Sequence, residues 1–533
     1  MGLCFFSGDF ILSRFCGIVY LSVQKAYFDM REIMKTAYIG GIILDGTRDM
    51  VPQKGKTVIV ENGRIASILS AEELVPSGCE IVNLRGCYLM PGLINLHVHL
   101  NSGGKPSGRK KEPGDYVRLV NLATSNALTG EAVRALMRGY ANTALHSGVT
   151  TIRTVGGISD YDGRLRNEIE EGYRKRVKEW KAEGSTGKKE LADLVRKART
   201  GMSRIPMGAA APEGLGALVR GGAAGAAMAG PRILTGNTGI SVPGGHVAGS
   251  LAYPVTTPEE AVEYVHKIAT GRPELIKLMI TGGIMDAEKE GEPGVLKMSP
   301  EIIEAACKAA HELKLPVAAH TESTEGVIAG LRGGVDTIEH GAMPTDEMMA
   351  LFKEKGASLV TTISPVIPLA LLSTAKTGVR PMDRYNAGIV LRGIIECARR
   401  ALAEGIPVGL GTDTGCPYVT HYDMWRELQY FSTFCGVSET FALYSATLGN
   451  ARIAGIDGET GSIEPGKAAD FLITAGNPVE SLRALRKPRM VVARGALIKE
   501  PVIKKNVDIE QTLDSLLKYT YDDLDRLLRK GQG

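Results

Sequence analysis

His97 and His99 stand one residue apart at the end of an apolar run, LINLHVHL. In a strand, residues i and i+2 share a face, so both imidazoles would point the same way and could hold one metal ion. Alone, a His-x-His pair says little. Further segments place the same kinds of group at their ends: PVAAHTE carries His320, DTIEHG carries His340 and GLGTD ends on Asp413, while LIKLMITGG holds Lys277 within it. Imidazole nitrogen and carboxylate oxygen suit zinc and similar divalent ions. A lysine ammonium would repel two cations. Carboxylated by carbon dioxide, the same side chain becomes an anionic bridge with two oxygens. That reaction needs the neutral amine, which a desolvated site favours. Two ions about 3.5–4 Å apart can then share a hydroxide whose water precursor has a pKa near roughly 7.

Groups so far apart in sequence need a scaffold that gathers strand ends. From Pro91 onward short apolar strands alternate with helical segments, the pattern of a parallel sheet covered by helices. Eight strands are expected: LINLHVHL, TTIRTVGG, RILTGNTG, LIKLMITGG, PVAAHTE, DTIEHG, SLVTTISP and PVGLGTD. SPEIIEAACKAAHELK is the clearest intervening helix. Eight β/α units close naturally into a (β/α)8 TIM-like barrel, α/β in class, with its site at the C-terminal ends of the strands. Residues 34–90 and 455–505 read as β-rich pieces that join in one discontinuous small β-sandwich domain, flanking a barrel over 91–454. Residues 506–533 read as a C-terminal helix whose stripe Ile509, Leu513, Leu516, Leu517, Leu524, Leu527 and Leu528 packs on the barrel or on a neighbouring subunit. A charged, then Gly/Ala-rich insertion over 162–229 leaves the catalytic face after the second strand, as a lid or as a solvated surface excursion.

Composition excludes some classes. With 44% hydrophobic and 23% charged residues, the 533-residue chain is ordinary globular material. A net charge of +4 and 5% aromatic residues argue against nucleic acid or an acidic membrane as partner. The eight cysteines form no CxxC pair, which favours a reduced, cytoplasmic setting. The apolar leader, residues 1–33, is broken by Asp9 and Arg14 and lacks a basic start. It is read as lying outside the fold, the alternative being a degenerate signal or membrane-associating segment.

PGLINLHVHL, GVTTIRTVGG, IKLMITGG, AAHTES, GVDTIEHG, GLGTDTG and the tail GNARIAGIDGETGSIEPGKAADFLI together resemble the amidohydrolase superfamily from Met34 to about Pro501. Within it the chain is similar to the binuclear subgroup of Xaa-Pro dipeptidase-like and lysine- or arginine-dipeptidase-like enzymes, related to imidazolonepropionases. The resemblance implies His97, His99 and Asp413 on one metal, His320 and His340 on the other, and carboxylated Lys277 bridging both. It implies a metal-dependent hydrolase with two divalent ions, zinc by preference, cleaving the amide bond of a dipeptide or N-acyl amino acid with a bridging hydroxide. Asp413 would serve as general base and then acid. Opening of a cyclic amide, as by imidazolonepropionase, and deamination are the alternatives; both usually use one metal, and neither needs Lys277. A scaffold that kept the barrel and lost its chemistry is the rival outside enzymes. The chain departs from the family at IRTVGG, where relatives often carry aspartate in place of Thr154, and in the length of the excursion after it.

Substrate contacts are expected from His246 in VPGGHVAG, Ser102, His421 and Arg153. For His421 and Arg153, a loop-holding bond and a structural ion pair are the competing roles. His146, His266 and His311 fall in helices and read as ordinary histidines; Cys416 has no visible base partner. A small-molecule substrate and a homo-oligomer complete the expectation.

Overall fold

Val149–Thr154 and Leu93–Val98 are buried along their whole length, as parallel strands covered on both faces must be. The computed structural model describes residues 35–106, 113–178 and 230–530. All eight expected strands are present: Leu93–Val98, Val149–Thr154, Arg232–Thr235, Ile276–Met279, Val317–Thr321, Thr337–His340, Ser358–Thr361 and Val408–Leu410. Every neighbouring pair is parallel. Helices cover them, among them Pro300–Glu312, which begins on a proline and buries Ile302, Ile303, Ala306, Cys307, Ala309 and Ala310.

The architecture is of the TIM-barrel type, but its ladder is not continuous. The strands fall into a three-stranded and a seven-stranded sheet. The break lies in the third strand, where Asn237 takes a left-handed φ of 51°. Arg232–Thr235 pairs with the second strand, and only beyond the kink does Gly239–Ser241 pair with the fourth. At the other seam, a single bridge joins Val98 to Thr414, next to a hydrogen bond from the Asp413 amide to the His97 carbonyl at 2.8 Å. That seam lies at the C-terminal ends of the first and eighth strands.

The two ends of the chain build a second core. One sheet holds Lys35–Ile39, Thr57–Glu61, Arg64–Leu69 and Glu80–Asn83; the other holds Ile42–Ile43, Tyr88–Pro91, Phe471–Thr474, Met490–Ala493 and Ala496–Ile498. Asn62 and Gly63, both left-handed at 54° and 78°, turn the Thr57–Glu61 hairpin as a two-residue loop requires. Tyr38 of the first sheet meets Phe471 of the second edge-on, ring centres 5.5 Å apart.

Two expectations change. Residues 161–178, the start of the expected insertion, form a helix that buries Leu165, Ile169 and Tyr173 and is tied by Glu168 to Arg134 and Arg138. It is a covering helix, not a lid; 179–229, and the leader 1–33, lie outside the described residues. The C-terminal region is two helices, Val507–Asp514 and Tyr521–Lys530, and Leu527 of the expected stripe faces solvent. The first of them is locked to the barrel by Arg426, which is fully buried and bonds Asp423 (3.1 Å), Glu510 (3.0 Å) and Asp514 (2.7 Å).

Candidate metal centre

The four histidine rings form one contiguous cluster at the strand ends. Ring centres of His97 and His99 lie 5.4 Å apart, those of His97 and His340 4.8 Å, and those of His340 and His320 4.7 Å. Donor atoms of His97, His99 and Asp413 all lie within 4.8 Å of one another. Asp413 Oδ1 is 3.5 Å from His97 Nε2 and 3.2 Å from His99 Nε2. Asp413 and His340 take left-handed φ values of 54° and 69°, a conformation that side chains other than glycine seldom adopt and that clusters at functional sites.

The protein fixes which nitrogen of each ring is free. His97 Nδ1 donates to Glu339 Oε2 (2.7 Å), His99 Nδ1 to the Gly156 carbonyl (2.8 Å) and His320 Nε2 to the Gly282 carbonyl (3.3 Å). All three partners only accept, so the lone pairs are left on His97 Nε2, His99 Nε2 and His320 Nδ1. His340 Nδ1 meets the Thr362 hydroxyl at 2.7 Å. Burial pushes His97 down to about 4 and holds His320 and His340 well below the usual range, so these rings stay uncharged and able to bind a cation.

Lys277 is 1% exposed, and among the described residues its Nζ has no hydrogen-bond partner. Burial lowers it to about 8. The nearby carboxylate Glu339 is already engaged: it accepts from Arg153 Nη2 (2.6 Å), Thr337 Oγ1 (2.8 Å) and His97. Burial would raise Glu339, but Arg153 and the His97 bond outweigh it and hold it well below the carboxylate range.

The substrate candidates divide. His246 lies face to face on His320, 4.2 Å between centres and 8° between planes, and its Nδ1 meets Asp286 Oδ2 at 2.5 Å. Ser102 sits on the loop after the first strand, where its carbonyl accepts from His421 Nε2 at 2.8 Å. His421, stacked on Tyr140, is therefore a brace between two loops rather than a group turned to the mouth. Arg153 takes the structural ion pair that competed with substrate contact as its role. Its Nε binds the Leu96 carbonyl (2.7 Å) and its Nη2 binds Glu339, so it is spent inside the barrel and has no reach to a substrate. His146, His266 and His311 contact Val502, Val262 and Asp336, as ordinary helical histidines do.

Sequence reading missed Glu339, Asp286 and Thr362. Glu339 did leave a signal: a carboxylate inside the apolar strand of DTIEHG must be paired. Asp286 left none, because it is a surface-type residue on a loop. Asp162 was also missed. It is 1% exposed and lies under Gly157. Burial pushes its carboxyl up to about 6, against smaller opposing pulls from the Thr154 hydroxyl and His99. A raised acid pKa means that the folded state binds the proton more tightly, so this group costs stability above pH 6 and nothing below about 4. Asp162→Asn is therefore expected to stabilise the fold at pH 7.5 by up to about 3 kcal/mol, with the gain fading to zero near pH 4. Denaturant melts of both proteins at the two pH values test this; a gain independent of pH would exclude the titration.

The fold thus gathers four imidazoles, a carboxylate and a buried lysine at the strand ends of a TIM-barrel-type sheet. The chain belongs to the amidohydrolase family, whose model matches residues 88–203 and 200–498. Membership places it among hydrolases that act on carbon–nitrogen bonds, enzymes that generally carry two metal ions. A Bifidobacterium longum structure assigned as a prolidase is 31% identical, with 91% of this chain and 99% of that one superposed at a TM-score of 0.71. An Xaa-Pro dipeptidase with methionine bound in its active site is 25% identical, covering 87% of this chain and all (100%) of that one, TM-score 0.67. The ochratoxinase of Aspergillus niger is 27% identical over 234 residues, 43% of this chain, and the match spans about half that relative's length (47%). The imidazolonepropionase of Pseudomonas paraeruginosa is 23% identical over 78% of this chain and 86% of its own. Among the described residues no helix is long and apolar enough to cross a membrane.

Proposed function

We propose that the chain hydrolyses the amide bond of a dipeptide or N-acyl amino acid, with two divalent metal ions, zinc by preference. His97, His99 and Asp413 would hold one ion, His320 and His340 the other, and Lys277, once carboxylated, would supply an anionic group to both. The observation that carries this reading is Lys277, a buried amine that makes no hydrogen bond among the described residues, beside a cluster of four imidazoles. A buried ammonium in that position would stand without a hydrogen bond of its own, whereas a carboxylated side chain would have two cations to bind. When bound, the ions activate water and polarise the scissile carbonyl. The chain's own part is to orient and to move protons. Asp413 takes the proton of the attacking water and returns it to the leaving nitrogen. Glu339, Gly156 and Gly282 keep three rings aimed.

The prolidase and dipeptidase neighbours support this substrate class, and the imidazolonepropionase match leaves opening of a cyclic amide as the second reading. Metal analysis of the purified protein, with hydrolysis of dipeptide and N-acyl amino acid panels, tests the proposal. About two ions per chain with turnover supports it; one ion favours the cyclic-amide or deaminase readings; none favours a scaffold.

Glu339→Gln is expected to weaken metal binding about 10- to 100-fold, because the ring of His97 loses its carboxylate and Arg153 its counter-charge. Titration against a competing chelator reads this. Unchanged affinity would remove Glu339 from that role.

A further inference from the structure

Of the four imidazoles, His340 is aimed differently. His97, His99 and His320 each face a group that only accepts, whereas His340 Nδ1 meets a hydroxyl, Thr362 Oγ1, at 2.7 Å. A hydroxyl can donate as well as accept, so this bond depends on where Thr362 is held. Thr362 follows the strand Ser358–Thr361 and is fully buried. The two residues after it give both their amides to one carboxylate. Ile363 N donates to Glu427 Oε1 and Ser364 N to Glu427 Oε2, each at 2.8 Å, and the Ser364 hydroxyl adds a third bond to Oε2 at 2.5 Å. Glu427 stands in the first turn of the helix Met424–Cys435, which follows the eighth strand. One side chain thus fixes the chain at the end of the seventh strand from the helix after the eighth.

Holding a loop does not by itself account for Glu427. It is fully buried, and among the described residues it forms no ion pair; Arg426, beside it in the chain, is taken by Asp423, Glu510 and Asp514. A buried carboxylate without a cation is costly, and hydrogen bonds offset only part of the cost. Burial accordingly pushes its carboxyl up to about 7, against the pull of the Ser364 and Ile363 bonds. Asp413 acts on it through space, so this anion stands within electrostatic reach of the candidate metal centre. Groups of this kind concentrate at functional sites. The residue type also fits the task. Both oxygens of a carboxylate accept, whereas a glutamine would turn N–H groups toward one of the two amides.

We propose that Glu427 is a positioning residue for the metal centre: by clamping Ile363 and Ser364 it places the Thr362 hydroxyl that aims His340, and so sets how tightly His320 and His340 hold their ion. This rests on the two-ion reading above and makes the two ions unequal. The other ion is independent of the clamp, because His97 and His99 are aimed by Glu339 and the Gly156 carbonyl.

The test uses the full chain, loaded with zinc and titrated against a competing chelator. Glu427→Gln is expected to weaken one ion, the one that His340→Gln loses, about 10- to 100-fold and to leave the other within about twofold. Thr362→Val should weaken the same ion by a similar factor, and Thr362→Ser should restore it. The double variant Glu427→Gln, Thr362→Val should be no weaker than the worse of the two, because both changes act through one bond. Losses that multiply, an equal loss of both ions, or native affinity in Glu427→Gln overturn the proposal. Should Glu427→Gln not fold, Ser364→Ala, which removes one of the three bonds, decides in its place: a selective loss of the same ion upholds the clamp and an unchanged affinity overturns it. If the native chain binds no zinc, the two-ion reading falls, and the imidazole nitrogen spectrum of protein made with isotope-labelled histidine decides the clamp separately. The His340 signal is the one missing from His340→Gln. A single tautomer in the native chain that becomes mixed in Glu427→Gln upholds the clamp; the same signal in both overturns it.

Discussion

Replacing Lys277 by alanine is expected to lower turnover by at least about 10⁴-fold, some 5.5 kcal/mol of barrel-held transition-state stabilisation, and to reduce bound metal from two ions to one or none. The size of the effect follows from position. Lys277 is fully buried, and among the described residues its Nζ makes no hydrogen bond, so its donor capacity is unused unless something binds there. Lys277→Met separates the two contributions. It keeps most of the side-chain volume, so it avoids the cavity that alanine leaves, but it cannot be carboxylated. Both variants should lose metal alike, while only alanine should lower the melting temperature. Isotope-labelled bicarbonate gives an independent readout, a carbamate signal present in the native protein and absent from both variants. Full metal content with near-native turnover in either variant would show that Lys277 bridges nothing.

Asp413→Asn is expected to lower kcat by about 10²–10⁴-fold, the usual range for loss of a positioned proton carrier. Asparagine is the right replacement because of the backbone. Asp413 has a φ of 54°, which Asn tolerates and Ala resists at a cost of about 1–2 kcal/mol. The Asn variant should therefore fold and melt normally, whereas Asp413→Ala should be both inactive and less stable. Asp413 is buried, which would raise its pKa, but the imidazoles of His97, His99 and His340 outweigh this and hold it well below the carboxylate range. It is therefore ready to accept a proton at any pH where the fold persists. Native activity should show no loss attributable to Asp413 between pH 8 and 5. If Asp413→Asn kept native kcat, the proton carrier would have to be another group.

The metal-type residues were legible because each stands at the end of a strand, and strand periodicity is readable from one chain. His97 and His99 share a face by spacing alone, and the short apolar runs around His320, His340 and Asp413 announce buried parallel strands. Their mutual distances were not legible, since those depend on how a ring of strands curls. Nor was the kink at Asn237, which divides the ladder in two although the eight strands were correctly placed. Arg153 shows the limit from the other side. A cation at a strand end can be read as a structural ion pair or a substrate anchor, and only the opposite strand shows that its partner is Glu339. Asp286 was invisible for a different reason. Its loop carries no periodicity, and the shape of that loop is set by Asn386 and Arg380, about a hundred residues away in the chain.

The core shared by both chain ends has a consequence for biosynthesis. Arg64 donates to the Gly466 carbonyl across 402 residues, and Tyr38 rests on Phe471 in the same unit. At about 5–20 residues per second, a ribosome needs roughly 20–80 s to deliver the second half after the first has emerged. Throughout that interval Tyr38, Val58, Val60 and Ile65 lack the partners that bury them in the finished protein. The chain is thus most exposed to aggregation while it is still nascent, and chaperone supply during translation should govern soluble yield more than the stability of the completed fold.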